Sequence, residues 1–176
     1  KKNATEKLDF HLLNTSGGFN YPDFHLDWVR TGIGLYGFAN QTDWNEKLKP
    51  IASLKTTITQ VHKISKGSTV GYNCGWIAPY DTKIAVIPIG HADGIARHYG
   101  HSRGWVLING KKAPMVGNIC MDMTMVEIGK IDCEEGNEVV VFGTSGRADH
   151  LAEDSGTISY ELLSGLGSRI LRKVIE

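Results

Sequence analysis

The chain has 176 residues, 41% of them hydrophobic, and nineteen basic side chains balance nineteen acidic ones. That length suits one ordinary domain, or one domain plus a piece of another, with enough apolar residues for a packed core. Zero formal charge leaves no electrostatic footprint for nucleic acid or an anionic membrane, and no apolar run approaches the ~20 residues of a membrane helix.

The first fourteen residues, KKNATEKLDFHLLN, are charged and lack a signal-peptide core. Within Lys1–Leu13 the run LDFHLL fits either a helix end or a short buried strand. Asn14-Thr15-Ser16-Gly17-Gly18 reads as a polar turn, and Pro22 marks a turn or helix entry. Arg30 then leads into a loop freed by Gly32, Gly34 and Gly37, whose backbone N–H groups suit an anion such as phosphate. Ala39–Lys47 is polar and reads as a connector.

From Leu48 the composition shifts toward strands: Ile51–Val61, Lys83–Ile89, Gly104–Ile108, Lys112–Val116, Met123–Ile128 and Glu138–Phe142. Asn109-Gly110 is a type I′ hairpin signal, and Pro88 argues for a strand end, edge or bulge. Short strands with turns at this spacing predict a compact β-barrel or sandwich. Late helices are expected over His150–Asp154, capped by Asp149, and over Tyr160–Leu163, capped by Ser159 and ended by Gly165. Arg169–Ile175 alternates as a last strand would.

The three cysteines, Cys74, Cys120 and Cys133, form no CxxC pair, so neither a disulfide framework nor a zinc site is indicated, and the reading is of a reducing, cytoplasmic compartment. His91, His98 and His101 lie close together, but their spacing fits no helical zinc pair; no metal is expected. Cys120 reads as a buried, inert thiol. The backbone amide of Met121 and the side chain of Asp122 are better functional candidates.

Tyr72 stands in a glycine-hinged loop between two strand-like runs, Thr57–Ile64 and Lys83–Ile89. A phenol so placed serves as acid or base where a cation stabilises phenolate; taken alone, it reads as a half-buried structural tyrosine. Tyr160, at a predicted helix start, offers a hydroxyl to a phosphate or simply packs. Arg30 offers a fixed fork of donors to a carboxylate, a phosphate or a ring nitrogen, or else forms a surface ion pair.

The stretches HLLNTSG, DWVRTGIGLYG, LKPIASLKTTI, TVGYNCGW, IAVIPIGHADGIAR, VLINGKKAPMVGNICMDMTMVEI, GNEVVVFG and GTISYELLSGLGSRILR resemble, in family order and over nearly the whole chain, the C-terminal part of alanine racemase. That family pairs an N-terminal TIM-type barrel with a C-terminal β domain and uses pyridoxal 5′-phosphate. The resemblance implies a mainly β fold: a C-terminal β-barrel domain over 48–176, preceded over 1–47 by a remnant of the N-terminal barrel. It places Tyr72 on the family's tyrosine acid/base and Met121 on a backbone contact to the substrate carboxylate, both acting across a homodimer. Arg30 falls on the arginine facing the cofactor's pyridine nitrogen. Thr15, the backbone of Gly32 and Ile33, and Tyr160 fall on phosphate-binding positions. Arg97 and Asp122 fall at the substrate entrance and its supports.

Some positions depart from the pattern. His91 replaces a tyrosine, Asn118 an arginine and Thr31 a proline, and the first two touch the entrance. No KANAYGHG-like segment, which carries the family's cofactor lysine, occurs, and a complete barrel needs ~200 or more residues. The expectation is a fragment, inactive alone, of an enzyme that interconverts L- and D-alanine for the bacterial cell wall. A racemase for serine or another small amino acid, or a non-catalytic dimerisation module, are the alternatives.

Overall fold

The computed structural model describes residues 8–175. The chain divides into two compact units, Lys1–Ile51 and Ala52–Glu176.

In the first unit, strand β1 (His11–Asn14) runs parallel to β2 (Trp28–Arg30), with His11 opposite Trp28 and Asn14 opposite Arg30. The run LDFHLL thus ends as a strand, though an exposed one. Helix α1 (Thr15–Asn20) occupies the stretch expected to be a turn. The Asn14 carboxamide oxygen accepts from the Gly17 amide at 3.0 Å and caps this helix. Phe19 stacks on Trp44 with ring centroids 4.6 Å apart. Trp44 belongs to α2 (Thr42–Lys47), a helix inside the segment read as a connector. Pro22 opens a 3₁₀ turn over Pro22–Phe24, as expected, and a second such turn, Ile33–Tyr36, lies in the glycine loop.

The second unit is built on seven antiparallel strands: β3 (Leu54–Thr57), β4 (Gln60–Ile64), β7 (Thr82–Ile87), β8 (Trp105–Ile108), β9 (Lys111–Val116), β10 (Thr124–Glu127) and β11 (Glu138–Phe142). Their order across the sheet is β3-β11-β8-β9-β10-β7-β4. The two edge strands are therefore consecutive in the chain, separated only by Ile58 and Thr59. Seven flat strands would hold those edges ~29 Å apart at ~4.8 Å per spacing. The three peptide units from Thr57 to Gln60 reach only ~10 Å. The sheet has to curl, so the strand pattern read as a compact β-barrel or sandwich closes into a mainly β, half-barrel sheet because of that short link.

Ile58 and Thr59 also explain why the run Ile51–Val61 is not one strand. Ile58 exchanges backbone bonds with the turn before β11, donating to Asn137 and accepting from Gly136. The Thr59 amide and hydroxyl both donate to Val86 of β7, at 2.9 and 3.0 Å. The chain changes partners there without any break in β propensity. Elsewhere the turn chemistry holds: Asn109 and Gly110 have φ of 50° and 73°, as a type I′ turn requires, and β7 stops just before Pro88.

All four residues of β8 are buried. A Cβ on Gly146 would touch Trp105 and Leu107, so these two lie under the stretch that enters helix α3 (Ala148–Asp154). The Trp105 indole donates to Asp154 Oδ2 at 2.7 Å, and Lys112 Nζ reaches the same oxygen at 3.1 Å while sitting 4.1 Å over the indole ring. The hydrogen bond from Trp105, then that from Lys112, hold the Asp154 carboxyl below the usual carboxylate range. A carboxyl with a depressed folded-state pKa stabilises the fold above its unfolded pKa and loses that stabilisation as pH falls through the folded one. Tryptophan emission of the wild-type chain should therefore change below about pH 4, and Asp154→Asn should flatten that acid limb.

Helix α3 has no side-chain cap. Asp149 sits in its first turn, paired with Arg147 at 2.9 Å, instead of preceding it. Helix α4 (Ser159–Ser164) starts at Ser159 and ends at Gly165. Arg169–Ile175 forms no strand. Among the described residues, no helix is long and apolar enough to cross a membrane.

Candidate functional site

Within the first unit, parallel pairing of β1 with β2 sets Thr15, just past β1, beside the loop after Arg30. The Thr15 hydroxyl accepts from the amides of Gly32 at 3.1 Å and Gly34 at 3.3 Å. Both lone pairs of that oxygen are then in use, so its remaining capacity is as a donor. The close approach requires Gly34: a Cβ there would lie 2.7 Å from Thr15 Cγ2. The Ile33 amide has no hydrogen-bond acceptor among the described residues. An O–H and an N–H without acceptors suit a phosphate oxygen. Arg30 is exposed, and one guanidinium nitrogen donates to the Leu12 carbonyl at 2.9 Å; this anchors the fork and leaves its other donors available.

Within the second unit, Tyr72 begins a 3₁₀ turn, Tyr72–Cys74, between two short antiparallel strands, β5 (Thr69–Val70) and β6 (Trp76–Ile77). Val70 joins Ile84 and Val116 in a buried cluster against which Trp76 and Met125 pack. The base of the loop is thus fixed in the core while the Tyr72 side chain is 70% exposed. Asn73 and Cys74 take φ of 56° and 52°, left-handed values that non-glycine residues rarely adopt except at sites their surroundings hold in place.

Beneath this loop lies Asn118. Its Nδ2 donates to the Tyr72 carbonyl at 2.9 Å. Its Oδ1 accepts from Arg97 Nη2 and lies the same 3.2 Å from His101 Nε2. Two predicted site residues, Tyr72 and Arg97, are thereby joined through the position where a departure from the family pattern stood.

Three residues further on, Met121 is 58% exposed, and its amide has no acceptor among the described residues. The Cys120 and Met121 carbonyls accept from His91 and Ala92 at 2.9 and 3.0 Å. Asp93 is buried at 6% exposure; its Oδ2 caps the Gly90 amide at 2.9 Å, and its Oδ1 takes Arg169 Nη2 at 2.8 Å. The same Arg169 nitrogen reaches Asp122 at 2.6 Å. One guanidinium thus ties the His91 turn, the Met121 loop and the C-terminal segment together. The bond to Asp122, then that to Asp93, push the Arg169 pKa up. Arg169 and Asp93 are absent from the sequence-derived site because their partners lie 76 and 47 residues apart in the chain.

Tyr160 sits half-buried in the first turn of α4, and its carbonyl accepts from the Ser164 hydroxyl at 2.7 Å. Among the described residues, no hydrogen bond joins it to the Tyr72 loop. Cys120, read from sequence as a buried thiol, is only part-buried, and burial pushes its thiol pKa up; burial does the same to Cys133. Cys74 is exposed on the Tyr72 loop. A disulfide-exchange reagent at neutral pH is therefore expected to label one thiol rapidly and two slowly, and Cys74→Ser should remove the fast phase.

Residues 51–174 match the family described as alanine racemase, C-terminal domain. The alanine racemase of Desulfosudis oleivorans is 38% identical over 170 residues, covering 92% of this chain and 43% of that protein. The structure of alanine racemase from Acinetobacter baumannii superimposes with a TM-score of 0.84 at 34% identity, over 94% of this chain and 47% of that one. The Bartonella henselae alanine racemase, solved with covalently bound pyridoxal phosphate, gives 0.84 at 32% identity, over 96% and 47%. The chain spans less than half the length of these relatives. With the curled sheet and the family match over residues 51–174 in agreement, the chain belongs to the alanine racemase C-terminal domain family.

Proposed function

We propose that this chain is the C-terminal portion of a pyridoxal-phosphate-dependent racemase that interconverts L- and D-alanine. The observation that carries the reading is the exposed phenol of Tyr72 on a loop whose backbone is held from below. Such a side chain reaches outward, as an acid/base acting in a neighbouring subunit's site must. The sequence match to alanine racemases over more than nine-tenths of the chain supports the substrate.

The donors in the first unit fit the cofactor. The Thr15 hydroxyl and the Ile33 backbone N–H would hold its phosphate, with the Gly32 amide engaged by Thr15. The Arg30 guanidinium would face the pyridine nitrogen and keep a proton off it, because two adjacent positive charges repel. The chemistry pyridoxal phosphate supplies when bound is an electron sink that acidifies the substrate's α-proton. Tyr72 would exchange that proton on one face of the α-carbon, and a lysine on the opposite face. The Met121 amide would donate to the substrate carboxylate. His91, Arg97 and Asp122 would border the entrance, with Asp122 held by Arg169.

No KANAYGHG-like segment occurs in the 176 residues, so the lysine is proposed to come from sequence outside them, residues 1–47 being the end of a barrel domain. The parent is read as a homodimer. The test has two arms. The 176-residue chain given pyridoxal phosphate and L-alanine should form no D-alanine, and racemisation there would overturn the partial-site reading. The same chain joined to a lysine-bearing barrel of this family should racemise alanine, and a preference for serine would replace the proposed substrate.

A further inference from the structure

We propose that Asn118 is the positioning residue of the Tyr72 loop: its carboxamide, oriented by Arg97 and His101, grips the Tyr72 carbonyl and so sets where the phenol points. This rests on the reading of Tyr72 as an acid/base for its functional meaning, but not for its physical content.

The orientation of a carboxamide is decided by its neighbours. Arg97 Nη2 is a donor only, and it lies 3.2 Å from Asn118 Oδ1, as does His101 Nε2. With that nitrogen protonated, the two donors occupy both lone pairs of the oxygen. Nδ2 is then forced toward the Tyr72 carbonyl, which it reaches at 2.9 Å. The loop in turn is shaped to sit on this group. A Cβ on Gly75 would lie 2.7 Å from Asn118 Nδ2 and 3.2 Å from its backbone nitrogen, so only glycine permits the contact.

The loop needs a tether. The strands on either side of it, β5 and β6, are two residues long, too short to impose a conformation. Asn73 and Cys74 nevertheless hold left-handed angles that persist only when neighbouring structure determines them. The bond inside the loop, from the Gly75 amide to the Tyr72 carbonyl at 3.1 Å, ends on the same oxygen that Asn118 grips. Asparagine alone among common side chains of this size accepts from two donors and donates on its far side. Aspartate keeps the acceptor half and loses the donor half.

The test uses the 176-residue chain and two substitutions, Asn118→Asp and Gly75→Ala. The second displaces the loop while leaving the carboxamide intact. Amide hydrogen exchange at position 75, taken relative to the intrinsic rate of the residue there, should accelerate roughly tenfold in each, the ratio set by losing one hydrogen bond of ordinary strength, while amides of β8 and β9 keep their rates. With ring-¹³C tyrosine, the Tyr72 signal, assigned by its loss in Tyr72→Phe, should shift or broaden in both variants. Unchanged protection at position 75 and an unchanged ring signal would overturn the proposal. So would equal acceleration in β8 and β9, which would mean general loosening. Neither measurement uses racemisation, so a failure here is separate from a failure of the acid/base role.

Discussion

Replacing Tyr72 with phenylalanine, in a polypeptide that also carries the barrel lysine, is expected to cut alanine racemisation by ~10²–10⁴-fold, the usual contribution of a positioned acid/base. Cofactor absorbance should stay, because the donors proposed for the phosphate and the ring nitrogen lie at Thr15, Ile33 and Arg30. The substitution removes one oxygen from a side chain that is 70% exposed, so it opens no core cavity, and the melting temperature should not move. The loop's anchor, the Tyr72 carbonyl held by Asn118 at 2.9 Å, is backbone and survives the change. The loss should fall on kcat more than on KM, since a proton-transfer group contributes chiefly in the transition state. Near-normal turnover would remove Tyr72 from the chemistry. Loss of cofactor absorbance with turnover would show that the side chain serves binding instead.

Much of the β domain was legible in the sequence because its signals are local. The Asn-Gly turn, the stop at Pro88 and the apolar runs of β7 to β11 each depend on neighbours a few residues away. The break at Ile58–Thr59 was not legible, since a strand that changes partners keeps the same residue preferences throughout. Helix α1 was not legible either. TSGGFN is a poor helix former, and it is held by the Asn14 cap and the stacking of Phe19 on Trp44, 25 residues on. The site shows the same division. The glycine-flanked Tyr72 and the glycine loop after Arg30 are visible as motifs. The Arg169 clamp looked like strand alternation, because nothing near Arg169 announces Asp93 or Asp122. Asn118 registered only as a departure at the entrance, and its bond to Tyr72 crosses 46 positions.

The Met121 loop offers the second large effect. Gly90 has an extended backbone, so its need for glycine is one of space alone. A Cβ at position 90 would sit within 2.5 Å of the Met121 carbonyl oxygen and closer still to that of Cys120. Those carbonyls are backbone and cannot swing aside as a flexible side chain would. Gly90→Ala must therefore push the Cys120–Met121 segment outward. That strains the bonds His91 and Ala92 make to these two carbonyls at 2.9 and 3.0 Å. Overpacking of a tight site costs about 1–3 kcal/mol, and each weakened hydrogen bond adds about 0.5–1.5, so roughly 3 kcal/mol of stability should be lost. For a domain of this size that lowers the melting temperature by about 6–12 °C. In the lysine-bearing parent the displaced Met121 amide should raise KM for alanine, even at temperatures where the variant is fully folded. The Asp93–Arg169–Asp122 bridge limits the movement from the other side, so Gly90→Ala combined with Arg169→Met should lose more than the two changes add up to separately. Simple additivity would mean that the turn at Gly90 and the clamp at Arg169 act on the Met121 loop independently.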